Sequence, residues 1–261
     1  MVESAFIRVD NVSKAFRNKG QTVRVLNDVA FEIKRGEMIS ILGESGCGKS
    51  TLLNIIGGFE KPDEGKVIID GNQVTQPNRK CIILFQNYGL LPWRSVLENV
   101  ELGLEGGKLG VKERKERART YLNLVGLGDK GDLFPHEISG GMQQRVAIAR
   151  ALAIQPELIL MDEPFAALDT FNRYYLQDEL LRIQDQEKTT VILVTHDIDE
   201  AIYLSDRVIM MKANPGEIDK ELTITLSKPR DRSHEDFQRY RKAIFEQFHF
   251  NRPAPSIEFN I

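Results

Sequence analysis

The 261 residues carry a formal net charge of -3, with 41% hydrophobic and 28% charged side chains. That balance excludes the broad basic field that draws proteins to nucleic acid or anionic lipid, and no apolar run approaches the ~20 residues of a membrane span. Cys47 and Cys81 form neither a metal-type spacing nor a CxxC pair, so a reducing compartment is expected and a disulfide framework is not. The opening "MVESAFIRVD" has no apolar h-region, so no secretory signal is expected.

Along the chain, "AFIRVDNVS" and "LNDVAFEI" read as short strands, and "MISIL" as a strand running into a glycine-rich turn. That turn, "GESGCGKST" at 43–51, matches G-x-x-x-x-G-K-[ST] and leads into "LLNII", which can be helical. "KVIIDGNQV" places Asp-Gly between apolar stretches, a hairpin signal. "VKERKERARTYLNLVGLG" (111–128) reads as an amphipathic helix with a solvated charged face, stopped by Gly126 or Gly128. "ISGGMQQR" (138–145) sets a serine and two glycines at the mouth of a helix continued by "RVAIARALAIQ" and limited by Pro156. "ELILM" is a continuous apolar run ending in "DEP", which suits a strand buried on both faces. "TTVILVT" (189–195) and "RVIMM" (207–211) repeat that pattern around a short helix. Strand and helix alternate, so a largely parallel sheet covered by helices is expected. In the tail from His234 to Phe248, Phe237, Tyr240, Ile244, Phe245 and Phe248 fall near one helical face and read as packing.

The chemistry concentrates in three places. In the glycine-rich loop, backbone N–H groups can curl around phosphate oxygens without a side chain in the way, and the helix that follows adds its positive dipole end. Lys49 can reach the β- and γ-phosphates, and Ser50 can offer its hydroxyl to Mg²⁺. At the end of a buried strand, Asp162 can hold that metal directly or through water. Glu163 beside it can orient or deprotonate a water for attack on the γ-phosphate, and His196, ending another apolar strand, sits where a γ-phosphate contact would be. Ser139 can cap the helix behind it, while Gly140 and Gly141 keep the backbone bare enough to approach phosphate.

In combination these motifs resemble the ATP-binding cassette (ABC) ATPases over most of the chain. Gly43, Glu44, Ser45, Gly46, Cys47, Gly48, Lys49, Ser50 and Thr51 correspond to the Walker A loop, and Leu158–Glu163 to Walker B. Ser139, Gly140, Gly141 and Met142 correspond to the signature, and Ala166, Ala167, Leu168 and Asp169 to the D-loop. Gln86 looks like the Q-loop glutamine, a catalytic and metal-binding position, and His196 like the switch histidine. Phe16, in "SKAF", falls where the family places an aromatic that stacks on adenine. Two departures stand out: the usual Leu-Ser-Gly-Gly-Gln reads Ile138 to Met142, and Ala166 replaces the common D-loop serine. Methionine cannot donate the hydrogen bond a glutamine would.

The resemblance implies an α/β fold, a P-loop NTPase (RecA-like) core with an antiparallel β subdomain and an inserted α-helical signature subdomain. It implies one cassette over 1–261: core and β subdomain at about 1–88 and 157–230, helical subdomain at 89–156, and a C-terminal helix and tail at 231–261. It implies ATP and Mg²⁺ as ligands, and a head-to-tail pair in which the signature of one subunit meets the ATP of the other. Within the family, "NYGLLPWRSVLENV", "DEPFAALD" and "KPRDR" look most like the ATPase subunits of nitrate, sulfonate and taurine importers. Such a subunit would sit peripherally on the cytoplasmic face of the membrane beneath separate permease subunits, served indirectly by an extracytoplasmic solute-binding protein. Leu90, Leu91, Pro92 and Trp93 are candidates for the membrane-subunit docking surface. The alternative is the ATPase subunit of another ABC importer or of an exporter. A chromosome-type ATPase would need a long coiled coil between phosphate loop and signature, and no heptad run occurs there.

Overall fold

The computed structural model describes residues 5–18, 20–84 and 88–250. The chain begins with β1 (Ile7–Asn18) and β2 (Gln21–Ile33), a long antiparallel hairpin in which Phe16 faces Val23 and Ile7 faces Ile33. Strand β3 (Met38–Gly43) then runs into helix α1 (Lys49–Ile56). Next, β4 (Glu64–Ile69) and β5 (Asn72–Gln73) meet across Asp70 and Gly71, whose φ values of 50° and 75° are those of the hairpin turn favoured by Asp-Gly. Together these strands form an antiparallel sheet ordered β2-β1-β4-β5.

Beyond β6 (Cys81–Leu84) come α2 (Val96–Leu104), α3 (Val111–Leu124) and α4 (Gly140–Ala153), which pack on one another. The chain re-enters the sheet as β7 (Leu158–Asp162), followed by α5 (Thr170–Glu187), β8 (Thr190–Thr195), α6 (Ile198–Leu204), β9 (Arg207–Lys212), β10 (Glu217–Thr223) and α7 (Glu235–Phe250). The second sheet is ordered β10-β9-β3-β8-β7-β6, parallel except for β10. This is the expected α/β core with its antiparallel sheet and helical insertion.

Strands β3, β7 and β8 are buried along their whole length, because the parallel sheet is covered on both faces. Alternate side chains therefore enter different cores. Ile39, Ile41, Ile192 and Val194 join α1 and the antiparallel sheet, whereas Met38, Leu42, Val191 and Leu193 join the helices on the opposite face. The two sheets are clasped at Gly216. Gly216 exchanges backbone hydrogen bonds of 2.9 Å with Val25 and Asn27, and its Cα approaches the Cys47 carbonyl so closely that a β-carbon there would lie 2.1 Å from the oxygen.

Three expectations are sharpened or corrected. The helix read over 111–128 ends at Leu124, and Gly126, at φ 69°, is the stop; Gly128 already belongs to a short 3-10 turn. In the tail, Phe237 and Ile244 are fully buried and Tyr240 and Phe248 partly so, but Phe245 is 53% exposed and does not belong to the packed stripe. "KPRDR", read from the sequence as part of a resemblance, has a structural role. Arg230 is buried and donates to the carbonyls of Ile202, Tyr203, Ser205, Ile224 and Leu226, closing the C-terminal end of α6. Arg232 lies between the rings of Tyr203 and Tyr174, 3.4 and 4.1 Å from their centroids, and donates to Gln177 at 2.5 Å.

Candidate nucleotide-binding and hydrolysis site

The site collects at the C-terminal ends of β3, β8 and β7, which lie side by side in register: Leu42 pairs with Thr195 and Val194 with Asp162. Ligands of open α/β sheets bind at this edge because the loops there converge.

The loop after β3 is shaped by contacts that exclude side chains. Gly48 has φ 96°, and a β-carbon there would lie 2.7 Å from Leu26 Cδ2 and 3.0 Å from the Val25 carbonyl. A β-carbon on Gly43 would meet Cys47 Sγ at 2.7 Å and the Met211 carbonyl at 2.8 Å. Cys47 is buried and fills the inside of the loop, as expected of a small spacer. The buried Lys49 ammonium donates to the Gly43 and Glu44 carbonyls at 2.8 and 2.9 Å, which fixes the charge at the loop mouth. Glu44, Ser45, Gly46 and Ser50 are exposed on the outer rim, and Thr51 is half-buried.

Asp162 is 9% exposed, and its Oδ1 is buried without a hydrogen-bond partner. Burial pushes its carboxyl above the ordinary carboxylate range, against the opposing pull of the Ser50 hydroxyl. Glu163 has φ 49°, a left-handed conformation uncommon for a residue with a side chain, and its N–H donates to the Val194 carbonyl at 2.9 Å. That turn brings Glu163 Oε1 to 3.0 Å from His196 Nδ1. The carboxylate is 22% exposed and the imidazole 64%, so the pair opens outward.

The signature adjoins this edge from the helical side. Ser139 caps α4 by accepting from the Met142 N–H at 3.3 Å. The Met142 side chain is half-buried against the helical core, so its role there is packing. A β-carbon on Gly141 would make only ordinary contact, 3.4 Å from the Ala167 carbonyl and from Leu168 Cδ2. Signature and D-loop are thus neighbours within one chain. Asp169 caps α5, accepting from the Asn172 N–H at 3.1 Å, and Ala166 closes a turn onto the Glu163 carbonyl. Gln144 is buried and donates to the Pro164 carbonyl, tying α4 to the segment between Glu163 and the D-loop.

Phe16 is 40% exposed, with the Lys14 ammonium 5.2 Å from its ring centroid. It lies on the hairpin whose other strand supplies Val25 and Leu26 to the wall behind Gly48. Gln86 lies outside the described residues. The candidate docking segment divides: Pro92 and Trp93 are exposed, Trp93 at 71%, whereas Leu90 and Leu91 are half-buried and Leu90 packs on the helical core.

Sequence reasoning missed the residues that hold these loops. Fully buried Asn99 accepts from the Leu91 N–H at 2.7 Å and donates to the carbonyls of Leu91, Arg94 and Ser95 at 3.0–3.1 Å. Arg150 donates to the Gly89 and Tyr88 carbonyls at 2.7 and 2.9 Å. Glu200 is buried on α6 and accepts from the Thr195 hydroxyl at 2.8 Å; burial raises its carboxyl to about 7. An asparagine on the apolar face of "VLENVELGL" is the one signal the sequence offers for any of them.

Residues 26–166 match the family model described as ABC transporter. The chain is 47% identical to the aliphatic sulfonates import ATP-binding protein of Bacillus cereus, over 93% of this chain and 95% of that one. It is 48% identical to the nitrate import ATP-binding protein of Synechococcus elongatus, over 88% of this chain and 35% of the longer relative. In three dimensions it resembles the dimeric, post-hydrolysis ATP-binding cassette MJ0796 bound to ADP and Pi, with a TM-score of 0.78 and 37% identity over 85% of this chain and all 100% of that chain. The chain therefore belongs to the ABC transporter family, as one of its ATP-binding, ATP-hydrolysing subunits.

Proposed function

We propose that this chain powers uptake of a small anionic solute, of the nitrate, aliphatic sulfonate or taurine class, through separate permease subunits. It works as a head-to-tail homodimer on the cytoplasmic face of the membrane, and an extracytoplasmic binding protein delivers the solute. The import functions named for the sulfonate and nitrate relatives support this reading. No helix among the described residues is long and apolar enough to cross a membrane. Residues 89–156 serve as the helical subdomain, presenting Pro92 and Trp93 to the permease with Leu90 and Leu91 as their support.

The observation that carries the hydrolytic reading is the convergence of Lys49, Asp162, Glu163 and His196 at one sheet edge, with Glu163 and His196 3.0 Å apart. Lys49 and the loop N–H groups hold the β- and γ-phosphates. Glu163 positions and deprotonates the attacking water, and His196 supports the γ-phosphate while orienting the carboxylate. Phe16 stacks on adenine. Ser139, Gly140 and Gly141 approach the γ-phosphate of the ATP held by the other subunit. Magnesium suits the donors present: the unpartnered, buried Asp162 Oδ1 is a site for a cation, and the Ser50 hydroxyl interacts with the same carboxylate. Ser50, Asp162 and Gln86 would hold the ion, which would neutralise charge on the phosphate oxygens.

Co-purification with a permease and a binding protein, followed by ATPase assays across nitrate, sulfonates, taurine and bicarbonate, tests the reading. One solute should stimulate turnover only when the binding protein is present. Stimulation that ignores the binding protein and responds to solute on the cytoplasmic side would replace import with export.

A further inference from the structure

Arg173 lies in the first turn of α5, just after the D-loop. Its guanidinium reaches three groups: Nη2 donates to the Leu168 carbonyl at 3.3 Å, Nη1 to Asp197 Oδ2 at 3.4 Å, and Nε lies 3.8 Å from Glu200 Oε1. The first acceptor belongs to the D-loop, and the other two belong to the segment that carries His196.

Those two carboxylates fix the backbone on either side of His196. Asp197 follows the histidine directly and caps α6, accepting from the Asp199 and Glu200 N–H groups at 2.8 and 3.1 Å. Thr195 precedes it and donates its hydroxyl to Glu200 at 2.8 Å while accepting from the Asp197 N–H at 3.0 Å. Gln177, one turn along α5 from Arg173, donates to the other Glu200 oxygen at 3.3 Å. The His196 ring hydrogen-bonds to the Glu163 side chain, and its placement otherwise depends on the backbone that Thr195 and Asp197 fix. Among the described residues, Arg173 bridges the D-loop and this backbone with a single side chain. A planar guanidinium can donate through Nη1 and Nη2 in two directions while its Nε, which makes no hydrogen bond, keeps positive charge beside Glu200; an ammonium is a point charge and cannot hold the same fork.

We propose that Arg173 is a positioning residue for ATP hydrolysis: it couples the D-loop carbonyl of Leu168 to the residues flanking His196, so that displacement of the D-loop resets the histidine against Glu163. The inference rests on the assignment of His196 and Glu163 given above. It adds a route by which the pairing of two subunits, felt at the D-loop, reaches the hydrolytic pair of the same subunit.

The test is a double-mutant cycle on the full-length chain, with ATP turnover and fluorescent-nucleotide binding measured for Arg173→Ala, Arg173→Lys, His196→Ala and the Arg173→Ala/His196→Ala pair. Arg173→Ala should lower kcat roughly tenfold with nucleotide affinity changed less than about twofold, and Arg173→Lys should recover part of the loss. The double variant should turn over no more slowly than His196→Ala alone, because Arg173 acts through the histidine. Losses that multiply in the double variant, or a fall in kcat matched by an equal fall in nucleotide affinity, overturn the proposal. Should Arg173→Ala not fold, Arg173→Lys combined with His196→Ala completes the same cycle. If His196→Ala and Glu163→Gln both hydrolyse ATP at the wild-type rate, the assignment of the site fails and this coupling fails with it. Normal losses in those two variants with an unaffected Arg173→Ala overturn the coupling alone.

Discussion

Glu163 and His196 meet at 3.0 Å although they end different strands, β7 and β8, and the left-handed backbone at Glu163 is what turns the carboxylate toward the imidazole. Replacing Glu163 by Gln keeps the shape and removes the proposed base. Glu163→Gln should lower turnover by about 10²- to 10³-fold, within the range for loss of general-base catalysis, while nucleotide affinity stays within a few-fold. Phosphate release and equilibrium nucleotide binding on the same preparation check this; undiminished turnover would remove Glu163 from the role of base.

The two loop glycines separate strain from collision. Gly46 has φ 82° with open space where a methyl would project, whereas Gly48 has φ 96° and a wall 2.7 Å away. Gly46→Ala should cost on the order of 1 kcal/mol, the penalty of a left-handed backbone. Gly48→Ala should cost about 2–3 kcal/mol more, because Leu26 and the Val25 backbone must also move. Urea denaturation ranks the two, and equal costs would mean that the wall is soft.

The signature glycine tests a different surface. A β-carbon on Gly141 finds ordinary contacts inside its own chain, so Gly141→Ala should leave Tm and monomer nucleotide binding near wild type. Turnover should still fall at least about tenfold, because bare backbone is needed to approach phosphate on the other subunit. Wild-type turnover in Gly141→Ala argues against the cross-subunit site.

Glu200 gives a pH-dependent prediction. Burial raises its carboxyl from 4.5 to about 7, and the Thr195 hydroxyl, Arg173 and His196 oppose that shift while Asp197 adds to it. The folded chain therefore holds this proton more tightly than the unfolded chain does. Its contribution to stability is fully present below pH 4.5 and is lost as the pH rises through about 7. Glu200→Gln should flatten the wild-type decline in stability between about pH 5 and pH 8, a difference on the order of a few kcal/mol. Parallel stability curves for the two proteins would show that the carboxyl titrates normally.

The parts of this molecule that were legible in the sequence are those written in local pattern. Asp70-Gly71 announced its hairpin, and Gly43–Thr51 its loop, because φ requirements select residue types directly. The runs "LILMD" and "TVILVT" announced buried strands because both faces of a parallel sheet are covered. What stayed hidden was polar and long-range. Arg150, Arg173 and Arg230 sit in helical or linker stretches where an arginine ordinarily faces solvent, and their carbonyl partners lie elsewhere in the fold. Phe245 shows the converse: helical spacing placed it in the apolar stripe, but it stays 53% exposed where Phe237 and Ile244 are fully buried.

The asparagine beneath the proposed docking segment can be watched optically. Trp93 is the single tryptophan of the chain and is 71% exposed, so its emission should be red-shifted and should move to the blue when a permease covers it. Asn99→Leu removes the bonds that fix residues 91–95 and leaves buried carbonyls unpaired, at a cost of about 2–4 kcal/mol. The variant should also lose the blue shift on permease addition. A full shift with Asn99→Leu would mean that the segment docks without its internal support.

The carbonyls gathered by Arg230 give the C-terminal segment a practical meaning. A protein shortened after Thr225 would lose Arg230, Phe237 and Ile244, leaving the last turn of α6 without its cation and the core surface those two side chains cover open to water. Expression boundaries, fusion tags and designed hybrids of this cassette should therefore be placed beyond α7. A fragment cut back to the family-matched residues 26–166 would lose more, including β8 and His196, and would be no minimal enzyme.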